Sequence, residues 1–397
     1  MERNSGSANG RYGPYRPDGG GLDAETATHL QRCRSSLPSD IERGHVAFGF
    51  DGFIDRVKET ITERIGGSYE THSNLLELGN QIVESAENDS SLTVEWTTTG
   101  MRTGGHTAHV GRAYDRLGFD VTAVGTFGQP MVDAFEEEFG HQTFISIAEP
   151  GYTDAVEFGE HKLMLSDTGT LRELDWEMII DRVEIESLAN HIDGARMLGL
   201  GYWAIITSMP GIWDGLREDV FPLLDDPPKF LLIDPFDVRQ LPNEEILQGA
   251  EPLTRLDDAI PVTMSANRVE TYAIATAFRG AKAEDLSFRE AAEVVREELG
   301  VTEFAGHAID HSVFVNDEEA IRIESPRTTD PEITTSAGDH FAAGFALGKL
   351  QGLDPGSSLI VASTVAGWFV RNGEPPTFED ITTFIQEYEW YFRSPER

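Results

Sequence analysis

The stretch TTSAGDHFAAG, residues 334–344, decides how this chain is read. Ser336, Ala337 and Gly338 carry almost no side chain, so a phosphate can approach their backbone N–H groups closely. They run into an apolar-periodic segment through Phe341, Ala342, Phe345 and Leu350, which predicts that those amides open a helix. A helix N-terminus offers unpaired donors at the positive end of the macrodipole, and together these seat the charge of a transferring phosphoryl group. Asp339 falls in the first turn beside that seat, where a carboxylate takes the proton of an incoming hydroxyl as general base. A plain capped helix start, with Ser336 or Asp339 as N-cap, is the alternative the string allows.

Working outward, short apolar runs alternate with amphipathic segments. VAFGF (46–50), AVGTF (123–127), ARMLGLG (195–201), KFLLID (229–234) and PVTMSA (261–266) read as strands, with helices expected over 131–139, 213–224 and 268–278. This pattern predicts an α/β fold with a doubly wound, mostly parallel sheet and helices on both faces. Two segments break the rhythm: 57–69, and 144–165, where FISIA, DAVEF and HKLMLS read as exposed strands around Pro150 and Gly151. Residues 72–90 read as a helical insertion (LLELGNQIVESAE) between those strands and the core, and 24–33 as a short helix. Residues 1–21 are rich in Gly, Pro, Ser and Arg and are expected to be a disordered lead-in.

The charge is the unusual part of the composition. Among 397 residues, 69 are acidic and 31 basic, a formal net charge of −38. That excess argues against nucleic acid and anionic membrane surfaces as partners. Lysine occurs only at Lys58, Lys162, Lys229, Lys282 and Lys349, and the acids are dispersed, a pattern suited to high salt, where screening removes self-repulsion. The single cysteine, Cys33, forms no internal disulfide and reads as an incidental thiol. With no long apolar run and no apolar core in MERNSGSANGRYGPYRPDGGG, the chain is expected to be cytoplasmic.

Further candidates cluster where a doubly wound sheet presents ligands, at the carboxyl ends of strands. GFDGFID places Asp51 and Asp55 after the first strand, where carboxylates accept hydrogen bonds from ligand hydroxyls; Asp51 reads equally as a turn former before Gly52. In TGMRTGGHTAHVGRAYDRLG (99–118), Gly104 and Gly105 permit close backbone approach before a helix. Arg102, His106, His109 and Arg112 form a basic cluster there, and Arg102 and His109 are the candidates for binding a phosphate already on the substrate. No cysteine or acid accompanies His106 and His109 at zinc-site spacing, and the same holds for His307 and His311. Asn267 and Glu270 follow a strand at a helix start and read either as an oxygen pair near a hydrated divalent cation or as a cap and first-turn acid. Asp234, ending LLID, faces nucleotide phosphates or serves as a turn acid before Pro235.

With these residues in view, the chain resembles the ribokinase/PfkB family of carbohydrate kinases over about 43–390. Residues 333–346 match the family's D-T-T-G-A-G-D signature at every constrained position but the first, where Ile333 replaces the Asp of a monovalent-cation site; Ser336 replaces the commoner Gly. The Gly104–Gly105 pair corresponds to the sugar-binding GG-x-x-x-N motif, with His109 in the place of Asn, and the Asp expected after vGxxG is replaced within Gln129 and Pro130.

The resemblance implies a small β-strand lid over the sugar, from about 57–69 and 144–165. It also makes Asp55 the first choice for the sugar carboxylate, because that residue precedes the lid. It implies Mg2+ held through water by Asn267 and Glu270 (the family's N-x-x-E), and ATP as co-substrate, with ADP a possible donor. The adenine pocket would be lined from 361–373, including Ala362 and Asn372, and a homodimer could form through the lid. The expected activity is phosphoryl transfer to a hydroxyl of a sugar or sugar phosphate. The basic cluster tilts the expectation towards a pentose phosphate such as ribose 1-phosphate, with a nucleoside kinase, an ADP-dependent sugar kinase or a non-enzymatic sugar sensor as alternatives.

Overall fold

The structure is a computed structural model that describes residues 21–158 and 161–394. The lead-in expected over 1–21 lies, apart from Gly21, outside the described residues. The strands are β1 (His45–Phe50), β2 (Phe53–Ile65), β3 (Ser68–Thr71), β4 (Glu95–Gly104), β5 (Asp120–Gly125), β6 (Thr143–Ser146), β7 (Gly151–Phe158), β8 (His161–Asp167), β9 (Leu198–Leu200), β10 (Leu231–Ile233), β11 (Val262–Asn267), β12 (Glu303–His307), β13 (His311–Val315) and β14 (Ala320–Glu324).

The apolar runs assemble into a nine-stranded sheet of order β14-β13-β12-β11-β10-β9-β1-β5-β6. From β6 to β12 every neighbour is parallel, while β13 and β14 add an antiparallel edge. Parallel strands buried on both faces read as continuous apolar runs, as these do. Side chains alternate between two cores: Val262, Met264 and Ala266 of β11 face one, while Val46 and Phe48 of β1 face the other. The second core is closed by the helices Ala24–Ser36, His106–Arg116, Ala337–Leu350, Pro355–Asn372 and Phe378–Gln386. On the opposite face lie Ile185–Ile192, Asn243–Ala259, Arg268–Arg279 and Phe288–Leu299. The α/β, doubly wound reading therefore holds.

The helix Ala337–Leu350 is buried along nearly its whole length because its glycines bring Pro355–Asn372 into close contact. A methyl carbon at Gly344 would lie 2.8 Å from the Ala362 Cα, and one at Gly348 2.8 Å from that of Ser358.

The lid is a second sheet built on β2, which leaves β1 after Gly52 and pairs with β3, β4 and β7, with β8 beyond β7. Its composition corrects the expected boundaries. FISIA supplies β6, which joins the main sheet beside β5 instead of the lid, so the lid strands from the second segment run over Gly151–Phe158 and His161–Asp167. The remaining lid strand is β4, in a stretch read only as the approach to a glycine turn. Strand propensity fixes an extended backbone but not its partner, and here the partners come from distant sequence. The helix Leu75–Glu87 lies between lid strands β3 and β4 and packs Leu78 on Val156 and Phe158, so it belongs to the lid and not to its junction with the core.

Candidate active site

The carboxyl ends of β1, β9, β10 and β11 meet the N-termini of two helices at one place. Asp339 is the third residue of Ala337–Leu350, 5% exposed. His106 Nδ1 donates to its Oδ1 at 2.9 Å, and the Tyr202 hydroxyl lies 3.3 Å from each of its oxygens. Asp234, at the end of β10, stands 3.9 Å from the same His106 nitrogen. Burial alone would discharge the His106 ring. Its hydrogen bond to Asp339 and the charges of Asp234, Asp339 and Asp51 outweigh that and push it up to about 9. Burial opposes ionisation of Asp339 as well, but the hydrogen bond and charge of His106 hold its carboxyl below the ordinary aspartate value. Near neutrality the pair is thus an imidazolium and a carboxylate, and burial with surrounding acids keeps Tyr202 a neutral phenol. The Asp339 carboxylate is thus ionised and held in place by its partners.

The Gly-Gly pair serves two carboxylates. A Cβ at Gly105, whose φ is +91°, would sit 2.3 Å from Asp51 Oδ2, and one at Gly104 2.8 Å from Asp55 Oδ2. Asp51 is fully buried; its Oδ1 accepts from the Thr107 amide at 3.1 Å and hydroxyl at 2.7 Å, while Oδ2 has no partner. Burial pushes its carboxyl up. Asp55, half-buried on β2, is also pushed up by burial, against the pull of the Thr153 hydroxyl and of Arg112 and Arg102.

The basic cluster converges only in part: Arg102 and Arg112 both act on Asp55, but the rest is divided among separate partners. Arg102 is exposed on β4. Arg112 is spent within the fold: its Nε donates to Glu138 Oε1 and its Nη2 to Glu138 Oε2 at 3.1 Å and to Thr103 Oγ1 at 2.6 Å. His109 is held between Arg112 at 3.0 Å and Ser336 Oγ at 2.8 Å, and burial pushes it down to about 3, so it is neutral. His106, read only as a member of this cluster, instead contacts Asp339.

On the far side of Ser336, Ala337 and Gly338 opens a cavity of about 660 Å³. Its walls include Asn267, Glu270, Ile309, Pro326, Ser363, Ala366, Gly367 and Val370. Two residues expected at the nucleotide site do not line this cavity. Ala362 is fully buried against Ala337–Leu350, and Asn372 is exposed with its amide on the Trp368 carbonyl at 2.9 Å. The face presented to the cavity is 363, 366, 367 and 370, the i, i+3, i+4, i+7 stripe one residue further round. Asp234 lies inward beside His106, and Asp237 takes the wall position.

Asn267 and Glu270 form a capping box on Arg268–Arg279. Glu270 Oε2 accepts from the Asn267 amide at 2.8 Å, and the Asn267 side-chain oxygen accepts from the amides of Val269 and Glu270. The cap reading of the pair therefore holds, and Glu270 also borders the cavity. Burial, then Asp234, pushes it up to about 8; burial pushes Asp234 up to about 7. Acids so crowded fit a divalent cation, and because Asn267's oxygen is already used, contact through water suits the set.

His106 and Tyr202 are the contacts of Asp339 that motif reading did not assign. Faint signals exist: His106 follows Gly105 directly, and Tyr202 follows the strand ending in Gly201, where a Cβ would meet the His106 Cβ at 2.6 Å.

An ionised carboxylate in the first turn of a buried helix, set in a doubly wound sheet beneath a β-lid, defines a carbohydrate kinase of the ribokinase/PfkB type. Solved structures agree on the fold. A carbohydrate kinase from Agrobacterium tumefaciens aligns at TM-score 0.59 and 15% identity, over 87% of this chain and 97% of that one. A ribokinase from Thermotoga maritima aligns at 0.56 and 15% over 87% and 99%. The family model described as prokaryotic ketohexokinase matches residues 22–388, and a ketohexokinase of Haloferax volcanii is 44% identical over 371 residues, 93% of this chain and 98% of the relative. The chain belongs to the prokaryotic ketohexokinase family. Among the described residues no helix is long and apolar enough to cross a membrane.

Proposed function

We propose that this kinase transfers the γ-phosphoryl group of ATP to a hydroxyl of a ketohexose. The observation that carries the reading is the place of ionised Asp339, between the sugar-side carboxylates Asp51 and Asp55 and the cavity that Ser336–Gly338 border. Asp51 Oδ2, buried without a partner, is a ready acceptor for a sugar hydroxyl, and Asp55 supplies a second at the root of the lid. Asp339 takes the proton of the attacking hydroxyl as its oxygen bonds to phosphorus and the bond from phosphorus to the leaving nucleotide oxygen breaks. The amides at the start of Ala337–Leu350 stabilise the charge of the transferring group. Magnesium, when bound, supplies further charge neutralisation, and Asn267 and Glu270 would hold it through water.

A neutral sugar fits better than the pentose phosphate expected from the basic cluster. Arg112 is neutralised by Glu138, His109 is uncharged, and Arg102 faces solvent, so these residues offer no joint seat for a second phosphate. The name of the Haloferax relative points the same way. The lid dimer remains part of the proposal: Leu76, Val83, Trp96, Met101 and Met164 are exposed apolar residues on the lid. Sedimentation in high salt tests it, a monomer at micromolar concentration counting against it.

The activity test is nucleotide turnover in molar potassium chloride with magnesium, across ketohexoses, aldopentoses, their phosphates and nucleosides, with ATP and ADP each as donor. The expected result is turnover of a free ketohexose with ATP. Turnover confined to a phosphorylated sugar or a nucleoside, or with ADP only, would overturn the substrate or donor assignment.

A further inference from the structure

Ser336 occupies an unusual position for a serine. Its backbone is left-handed, φ 66° and ψ 9°, a conformation that favours glycine. It is held from three directions. His340 donates to its carbonyl from the backbone amide at 3.2 Å and from Nδ1 at 2.8 Å, with the His340 ring stacked on Phe369 at 3.5 Å between centroids. The third contact, from its hydroxyl oxygen to His109 Nε2 at 2.8 Å, determines where the hydroxyl hydrogen points.

The direction of each hydrogen bond in this chain follows from chemistry. A guanidinium only donates, so Arg112 Nη1 gives its hydrogen to His109 Nδ1 at 3.0 Å. The neutral imidazole then carries its own hydrogen on Nε2 and donates it to Ser336 Oγ. Arg112 is itself fixed by Glu138 and by the Thr103 carbonyl at 3.0 Å, which clamps the relay to lid strand β4. With its oxygen accepting from His109, Ser336 retains a hydroxyl hydrogen that meets no acceptor among the described residues. Ser336 borders the 660 Å³ cavity three residues before Asp339.

We propose that the Ser336 hydroxyl is a catalytic hydrogen-bond donor to an oxygen of the transferring phosphoryl group, with His109 and Arg112 as the positioning residues that aim it. No bond to serine forms or breaks; the hydroxyl adds a side-chain donor to the backbone amides. The inference rests on the phosphoryl-transfer reading above. It accounts for a serine where backbone conformation alone asks for glycine, and for a buried histidine placed between an arginine and that serine.

The test compares wild type with Ser336→Gly, His109→Ala, His109→Gln and the Ser336→Gly/His109→Ala double variant. Initial rates over both substrates and thermal midpoints are measured in high salt. Ser336→Gly keeps the backbone conformation, and the relief of a left-handed serine offsets the acceptor that His109 loses, so its midpoint should shift only slightly. Its kcat should drop by about 10²-fold with both KM values within a few-fold, as expected for a donor used in the transition state. His109→Gln, which keeps an N–H at the Nε2 end, should lose less than His109→Ala, and the double variant should be no slower than Ser336→Gly. A kcat for Ser336→Gly within about threefold of wild type, or multiplying losses in the double variant, would overturn the inference while leaving the kinase reading standing. A wild-type chain with no kinase turnover would overturn both.

Discussion

The two sides of the helix Ala337–Leu350 N-terminus are built on opposite principles. Towards the sheet, Asp51, His106, Tyr202, Asp234 and Asp339 are almost wholly buried, and every one of them except the free Asp51 Oδ2 and His106 Nε2 atoms is held by hydrogen bonds or charge pairs. Away from it, the cavity is open, with small and apolar groups such as Ser363, Ala366 and Gly367 on one wall and Asn267, Glu270 and Asp237 on another. The difference teaches where each kind of free energy is used. A group that moves a proton needs a fixed position and a fixed charge, which a low-dielectric network supplies. A pocket that takes in a ligand needs room and apolar surface.

The sharpest way to break this comparison is Asp339→Asn. An amide still accepts from His106 and Tyr202, so the melting transition should persist, while kcat falls on the order of 10³-fold; near-normal turnover would remove the base from the rigid side. Next is Gly105→Ala, whose Cβ would lie 2.3 Å from Asp51 Oδ2 at φ +91°. Chemical denaturation should show a loss of about 3 kcal/mol, and an unchanged midpoint would mean that this side is looser than described.

His106→Gln tests the charge on the pair. Because the folded pKa of His106 is raised from 6.5 to about 9, its contribution is complete below 6.5 and is lost as pH rises through about 9. Asp339, depressed below 3.8, contributes above that value and loses its share as pH falls through its folded pKa. Wild type should therefore exceed the variant by roughly 3 kcal/mol between about pH 4 and 6.5. The two stability curves should converge beyond about pH 9, whereas a constant gap would show that His106 is neutral. The smallest effect is expected on the open side. Ala366→Phe fills part of the cavity and should raise the nucleotide KM by about tenfold, roughly 1.4 kcal/mol, with kcat for the sugar little changed; an unchanged KM would place the nucleotide elsewhere.

Much of this was legible because it is local. Small residues before an apolar period of 3.6 specify a helix start, and Asp339 falls in its first turn whatever the rest of the chain does. Alternating runs gave the parallel sheet for the same reason. Other readings failed where several placements satisfied the local pattern equally. FISIA is a strand in either sheet, and only pairing with β5 assigned it. The helix Pro355–Asn372 is small and apolar on nearly every side, so its periodicity did not say whether Ala362 or Ser363 faces the cavity; Gly344 decided that by taking Ala362 against its own backbone.

By itself, then, the sequence determined an α/β kinase fold with Asp339 in the first turn of one helix, because hydrophobic period, glycine placement and helix capping act over a few residues. Tertiary structure alone decided the charge state of that carboxylate. His106 reaches Asp339 across 233 residues of chain and Tyr202 across 137. A pKa or a tautomer is set by charges and donors within a few ångströms, whichever part of the chain delivers them.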